Sequence, residues 1–179
     1  MTGFLPNRAS LALAVAALAG FALLAGCIDS TAPILSDAHP LLGERLQLQF
    51  YVLHDGAADE PAAETFAWQG GRYVRISDNG TGLADFTLHD FGGADLIVQS
   101  IRPGLPTEYA IARKLADGAY LLFAVDEGDA DEAMRNNTCG TDFRVGCRVT
   151  TREEVLAFAR ATAAKPHSTG GLALLMAAH

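Results

Sequence analysis

Hydrophobic and polar residues alternate along the chain in short runs, the period-2 pattern of strands with one face buried. From Arg45 to Leu53, Leu46, Leu48, Phe50 and Val52 fall on one face, with Gln47 and Gln49 opposite. Thr65–Trp68 and Arg72–Ser77 read as a hairpin around Gly70-Gly71, because glycine accepts the positive φ of a tight turn. Asp78-Asn79-Gly80 supplies the next turn. Ala84–His89 and Ala94–Ser100 flank Gly92-Gly93, and Glu108–Lys114 and Ala119–Val125 flank Asp117-Gly118. The period changes to that of a helix after Thr151, where Val155, Phe158, Ala159 and Thr162 share a stripe with Leu156 beside it. Thr151 and Glu154 form a Thr-x-x-Glu capping box, Glu153 and Glu154 suit the positive end of the helix dipole, and Lys165 suits the other end. Pro166 stops the helix. Gly170-Gly171 then leads to Leu172–Ala178, expected as a last strand at the sheet edge. The fold class is therefore α+β and mainly β: an antiparallel meander of about seven strands, a curled sheet or small barrel, with one C-terminal helix near 151–164.

The beginning of the chain follows different rules. Met1–Arg8 is polar, Ala9–Leu24 is an alanine- and leucine-rich apolar run, and Leu24-Ala25-Gly26-Cys27 closes it with small residues and a cysteine. This box resembles the signal peptidase II site of bacterial lipoproteins. The resemblance implies a signal peptide over 1–26, a diacylglycerol on the Cys27 thiol, and Cys27 as the acylated mature N-terminus. Two or three acyl chains give a lasting anchor at about 0.8 kcal/mol per buried methylene, whereas one gives marginal binding. The apolar run is shorter than the roughly 20 residues of a spanning helix, which disfavours an uncleaved anchor. Enteric lipoproteins with Asp directly after the cysteine stay in the inner membrane. Here Ile28 holds that place, so the resemblance implies the outer membrane, with the protein on its periplasmic side. Residues 27–43, containing Pro33 and Pro40, are expected to be a tether reaching at most about 55 Å, and 44–179 a single extracytoplasmic domain.

Composition fits a folded domain: half of the 179 residues are hydrophobic and 19% are charged. The formal net charge is −8, and the leader contains Arg8 but none of the acids, so the mature chain is more acidic still. That balance disfavours nucleic acid as a partner. Of three cysteines, assigning Cys27 to lipid leaves Cys139 and Cys147 as a disulfide pair, appropriate to an oxidising compartment. So short a loop contributes about 2.5 kcal/mol in the chain-entropy model. One straight strand through both would put their Cα atoms about 26 Å apart, far beyond the roughly 7 Å limit, so Gly140–Asp142 should turn the chain back, with strand geometry only toward Val149.

Candidate chemistry is sparse. His54-Asp55 and His89-Asp90 each end an expected strand, and if brought together they could bind a metal or act as a general base. Solvated turn residues are the simpler reading. Asp126–Glu132 packs five carboxylates into seven residues, and Ser77–Gly82 is Asp/Asn/Gly-rich, yet neither matches a calcium loop; both read as solvated turns. Nucleophile elbows, zinc-helix motifs and phosphate loops are absent from the sequence. Phe66, Trp68, Tyr73, Phe86 and Phe91 are core candidates that could also line an apolar pocket. A meander with a C-terminal helix resembles lipocalin-type carriers in architecture, but their early Gly-x-Trp is missing: Phe66-Ala67 precedes Trp68, so no ligand residue carries over. The expectation is a non-enzymatic envelope lipoprotein, a membrane-anchored binding or assembly module needing no cofactor, with a small apolar ligand or an envelope protein as partner. The alternative is an anchored hydrolase or metal-dependent enzyme using His54 or His89.

Overall fold

A computed structural model describes residues 28–54, 57–58, 62–76, 84–139, 147–165 and 171–177, with only the backbone described at 50, 52–54, 57–58, 62 and 171–177. The leader with Cys27, the Ser77–Gly82 turn, the Gly140–Asp142 turn and Pro166 lie outside the described residues. The strands are β1 (Ile28–Ser30), β2 (Arg45–His54), β3 (Ala57–Ala58), β4 (Ala62–Gln69), β5 (Arg72–Arg75), β6 (Asp85–Gly92), β7 (Asp95–Ile101), β8 (Thr107–Ala116) and β9 (Ala119–Ala124). A 3-10 turn (Glu127–Asp129) and helix α1 (Glu132–Thr138) follow, then β10 (Cys147–Arg148), helix α2 (Arg152–Ala163) and β11 (Gly171–Ala177).

β4 to β9 form the expected antiparallel meander, and β2 precedes it beside β4. The β4–β5 hairpin turns at Gly70 and Gly71, with φ of 57° and 84°, values that an L side chain rarely adopts. β11 does not lie at an edge as expected. It pairs along its length with β2, Leu175 opposite Leu48, and also with β9, Ala173 opposite Tyr120. The pairings β2–β4–β5–β6–β7–β8–β9–β11 therefore return to β2 and curl the sheet into a small barrel. Among the described residues, β5 and β6 are joined by the pair Tyr73–Phe86 and by a hydrogen bond from Arg75 N–H to the Asp85 carboxylate at 3.4 Å.

Alternation sorts the side chains into two cores. Leu46, Phe66, Tyr73, Phe86, Leu88, Val98, Ala112 and Tyr120 fill the inside of the curl. Ile97, Tyr109, Ile111 and Phe123, at the opposite parity, point outward and are also buried, because α2 covers them with Val155, Phe158 and Ala159. Burial on both faces explains the unbroken apolar triplet Leu96-Ile97-Val98, as in sheets covered on two sides.

The same cover corrects the expected tether. Ile28 and Leu35 are 0% and 4% exposed, and Ile28 N–H donates to the Val125 carbonyl at 3.1 Å. β1 pairs antiparallel with β8 and parallel with β10. The Tyr109 hydroxyl lies 2.7 Å from Ser30 Oγ, which donates to the Ala32 carbonyl. Cys139, at the end of α1, and Cys147, in β10, form the expected disulfide with Cα atoms 4.4 Å apart. It fastens α1 to the strand that flanks β1.

Thr151 and Glu154 make both bonds of the capping box of α2. Burial opposes the Glu154 charge, but hydrogen bonds from Thr150 and Thr151 outweigh it and hold its carboxyl below the usual range. At the other end Arg113 donates to the Ala163 carbonyl at 2.8 Å while its guanidinium grips Asp95 and lies 5.3 Å over the Phe123 ring. The acidic run is not a plain solvated loop. Asp126 accepts from Gly128 N–H to cap the 3-10 turn, Asp131 accepts from Met134 N–H to cap α1, and Asp129 sits 3.8 Å from Lys165.

Candidate functional site

Inside the curl the packing is incomplete. A cavity of about 180 Å³ is lined, among the described residues, by Leu42, Leu46, Leu48, Phe66, Ala84, Phe86, Leu88, Leu96, Val98, Ser100, Ala112, Tyr120 and Leu122. Even-numbered positions of β2, β4, β6, β7, β8 and β9 supply most of this wall, as strand alternation requires. Three residues of this lining, Ala84, Ser100 and Ala112, are small. An apolar cavity of about 150 Å³ can stay dry and admit a small aromatic molecule.

Aromatic rings brace the wall. Tyr73 stacks on Phe86 with centroids 5.0 Å apart, and Phe66 meets Phe86 edge-on, also at 5.0 Å. Trp68 lies edge-on to Tyr73. The Tyr73 hydroxyl donates to the Gly43 carbonyl at 2.9 Å and accepts from Leu42 N–H at 3.3 Å, tying the Leu42 turn across one end of the curl. Burial pushes the Tyr73 pKa up, and only the Leu42 hydrogen bond opposes it. Toward the other end, Glu64 is fully buried, with Arg75 Nη1 4.0 Å from its Oε1. Glu64 faces Leu48 across the β2–β4 ladder and Arg75 faces Phe66 across β4–β5, so the pair adjoins two wall residues.

The expected histidines do not meet. His54 ends β2, with its side chain outside the description, and His89 sits in β6; the pairings separate β2 from β6 by β4 and β5. His89 is not a solvated turn residue either: it is 5% exposed, on the outer side of β6. Gln99, on β7, accepts from Ile34 and Leu35 N–H and donates to the Leu35 carbonyl and to Thr87 Oγ1. Thr87 Oγ1 and His89 Nε2 are hydrogen-bonded at 2.8 Å, the donor being set by the His89 tautomer, since the hydroxyl oxygen can accept from Gln99 and still either donate to or accept from the ring. His89 Nδ1 is buried with no hydrogen-bond partner. Burial, then the nearby Arg152 charge, lowers the His89 pKa to about 4 against the opposing pull of Asp37. Neutral at pH 7, the ring belongs to a polar clamp holding the 34–35 segment on the sheet.

Glu64, Arg75 and Gln99 escaped the reading of the sequence. The period-2 pattern does place Glu64 in phase with Phe66 and Trp68, and Gln99 in phase with Ile97, so parity was the available signal. The fold and site define a class: a small antiparallel barrel, strapped outside by its own N-terminal segment and hollow on an apolar interior. Compared with protein-family models, curated proteins and solved structures, the chain matches none.

Proposed function

We propose that the protein is a non-enzymatic lipoprotein of the bacterial envelope, anchored through lipid on Cys27 at the periplasmic side of the outer membrane, that binds a small apolar ligand. The cavity inside the strand curl carries this reading, since cavities with apolar walls and few polar groups are suited to small-molecule binding. The Leu24–Cys27 box supports the anchor, and Ile28 supports outer-membrane sorting. Burial of Ile28 adds that the lipid would join the domain without a free leash and hold the barrel close to the bilayer.

Native mass spectrometry of the full-length protein released from nanodiscs, with Trp68 fluorescence as a second readout, tests the binding reading. Ala112→Leu, which fills the cavity from β8, should abolish capture of small apolar probes while leaving circular dichroism unchanged. Equal capture by both proteins would refute the cavity as the site. For the anchor, intact mass should show acyl chains on a species beginning at Cys27, and Cys27→Ser should lose them. A wild-type protein without acyl mass would overturn the lipoprotein assignment.

A further inference from the structure

Strands supply the cavity wall except at two residues: Ala84 directly precedes β6, and Leu42 comes from a turn between the strap and β2. The segment carrying that turn is fixed at both ends. Leu35, 4% exposed, is bonded to Gln99 in both directions, and the Glu44 carbonyl accepts from Trp68 N–H at 2.8 Å. Between those points the chain bonds mainly to itself, Leu41 N–H to the His39 carbonyl and Gly43 N–H to the Pro40 carbonyl. Among the described residues, the hydrogen bonds that join 36–43 to the barrel are the two at the Tyr73 hydroxyl, from Leu42 N–H and to the Gly43 carbonyl. The ion pair of Asp37 with Arg152 of α2 is exposed and adds little. Leu41 is 43% exposed, so one side of the turn faces water while Leu42 faces the cavity.

We propose that residues 36–43 form a flap over the cavity, with Leu42 as its plug and Tyr73 as its latch, and that a small apolar ligand enters and leaves when the Tyr73 bonds open. This rests on the small-ligand reading above. The energetics favour this route over one through the wall. Residues 36–43 belong to no strand, so lifting them breaks no ladder pair. It costs two hydrogen bonds to a neutral hydroxyl and the contacts of one partly buried leucine. Parting two wall strands breaks several backbone bonds together and leaves their donors and acceptors facing an apolar interior. Tyr73 is well placed to hold the flap because its own ring is fixed by stacking on Phe86 and by the edge of Trp68.

Two measurements on the full-length protein in nanodiscs test the flap: amide hydrogen exchange at Leu42, read by fragmentation mass spectrometry, and exchange of fluorobenzene, read by fluorine NMR with empty nanodiscs subtracted. Tyr73→Phe keeps the ring and deletes the hydroxyl. It should speed Leu42 amide exchange and raise the fluorobenzene entry and exit rates together by about tenfold, the scale of the bonds removed. Leu42→Ala keeps the latch and shrinks the plug, and should also raise both fluorobenzene rates. Faster Leu42 amide exchange in Tyr73→Phe with unchanged fluorobenzene rates would put the entrance elsewhere and overturn this inference. Leu42 amide exchange that ignores loss of the hydroxyl would overturn the latch, and fluorobenzene rates unchanged in Leu42→Ala would overturn the plug. Failure of fluorobenzene to bind the wild type would overturn the cavity reading itself.

Discussion

His89 shows how one buried ring ties local chemistry to stability. Its pKa is about 4 in the fold, against 6.5 for the free side chain. Between these values the unfolded chain takes up a proton that the folded chain refuses, so this residue's effect on stability is most favourable above pH 6.5 and is lost as pH falls toward 4. The full difference is worth about 3 kcal/mol. Denaturant midpoints measured at pH 7, 5.5 and 4 should therefore fall more steeply for the wild type than for His89→Gln, and parallel curves would show that the ring does not carry this effect. The pH dependence could not be read from the sequence. His89-Asp90 looks like any strand end, and the ring is removed from water only in the folded chain, where its partner Thr87 is bonded to Gln99, twelve residues on, and Gln99 to Leu35.

At the scale of elements, the helix start was fully legible because capping is local: Thr151 and Glu154 lie three residues apart and need no distant partner. Thr151→Ala should cost about 1 kcal/mol, read as a lower thermal midpoint with an unchanged native spectrum; no change would mean the first turn is held by packing of Val155 and Phe158 alone. Strand alternation was legible for the same reason. The acidic run was misread because Asp is at home in both loops and caps, and Asp131 becomes a cap only once Glu132–Thr138 winds into a helix held by the Cys139–Cys147 bridge. Pro33 and Pro40 pointed to a tether; both were compatible with a strap, since an extended segment can dock through the short strand β1 and through Leu35.

For the whole molecule, the strap and the closing strand set the design. Ile28 and Leu35 each bury enough surface to contribute about 1.5–3 kcal/mol, and the strap also covers Gln99 and Tyr109. A chain starting at Glu44 should thus be less stable than one starting at Ile28 by about 3 kcal/mol or more and should bind a hydrophobic dye. Equal urea midpoints would return residues 28–43 to the role of a free tether. β11 matters as much, because it supplies the pairing between β2 and β9 that completes the curl around the cavity.

The sequence alone determined what depends on near neighbours along the chain: strand parity, the glycine turns, the capped helix and a pairing of Cys139 with Cys147. It also contains the Leu24–Cys27 box, on which the proposed lipid anchor rests. Tertiary structure decided where the last strand went, which outward faces were covered, and that Glu64 and Arg75 meet beside two residues of the cavity wall. Those outcomes depend on contacts between residues far apart in sequence, and a period-2 pattern assigns a face to each side chain without saying what lies opposite it.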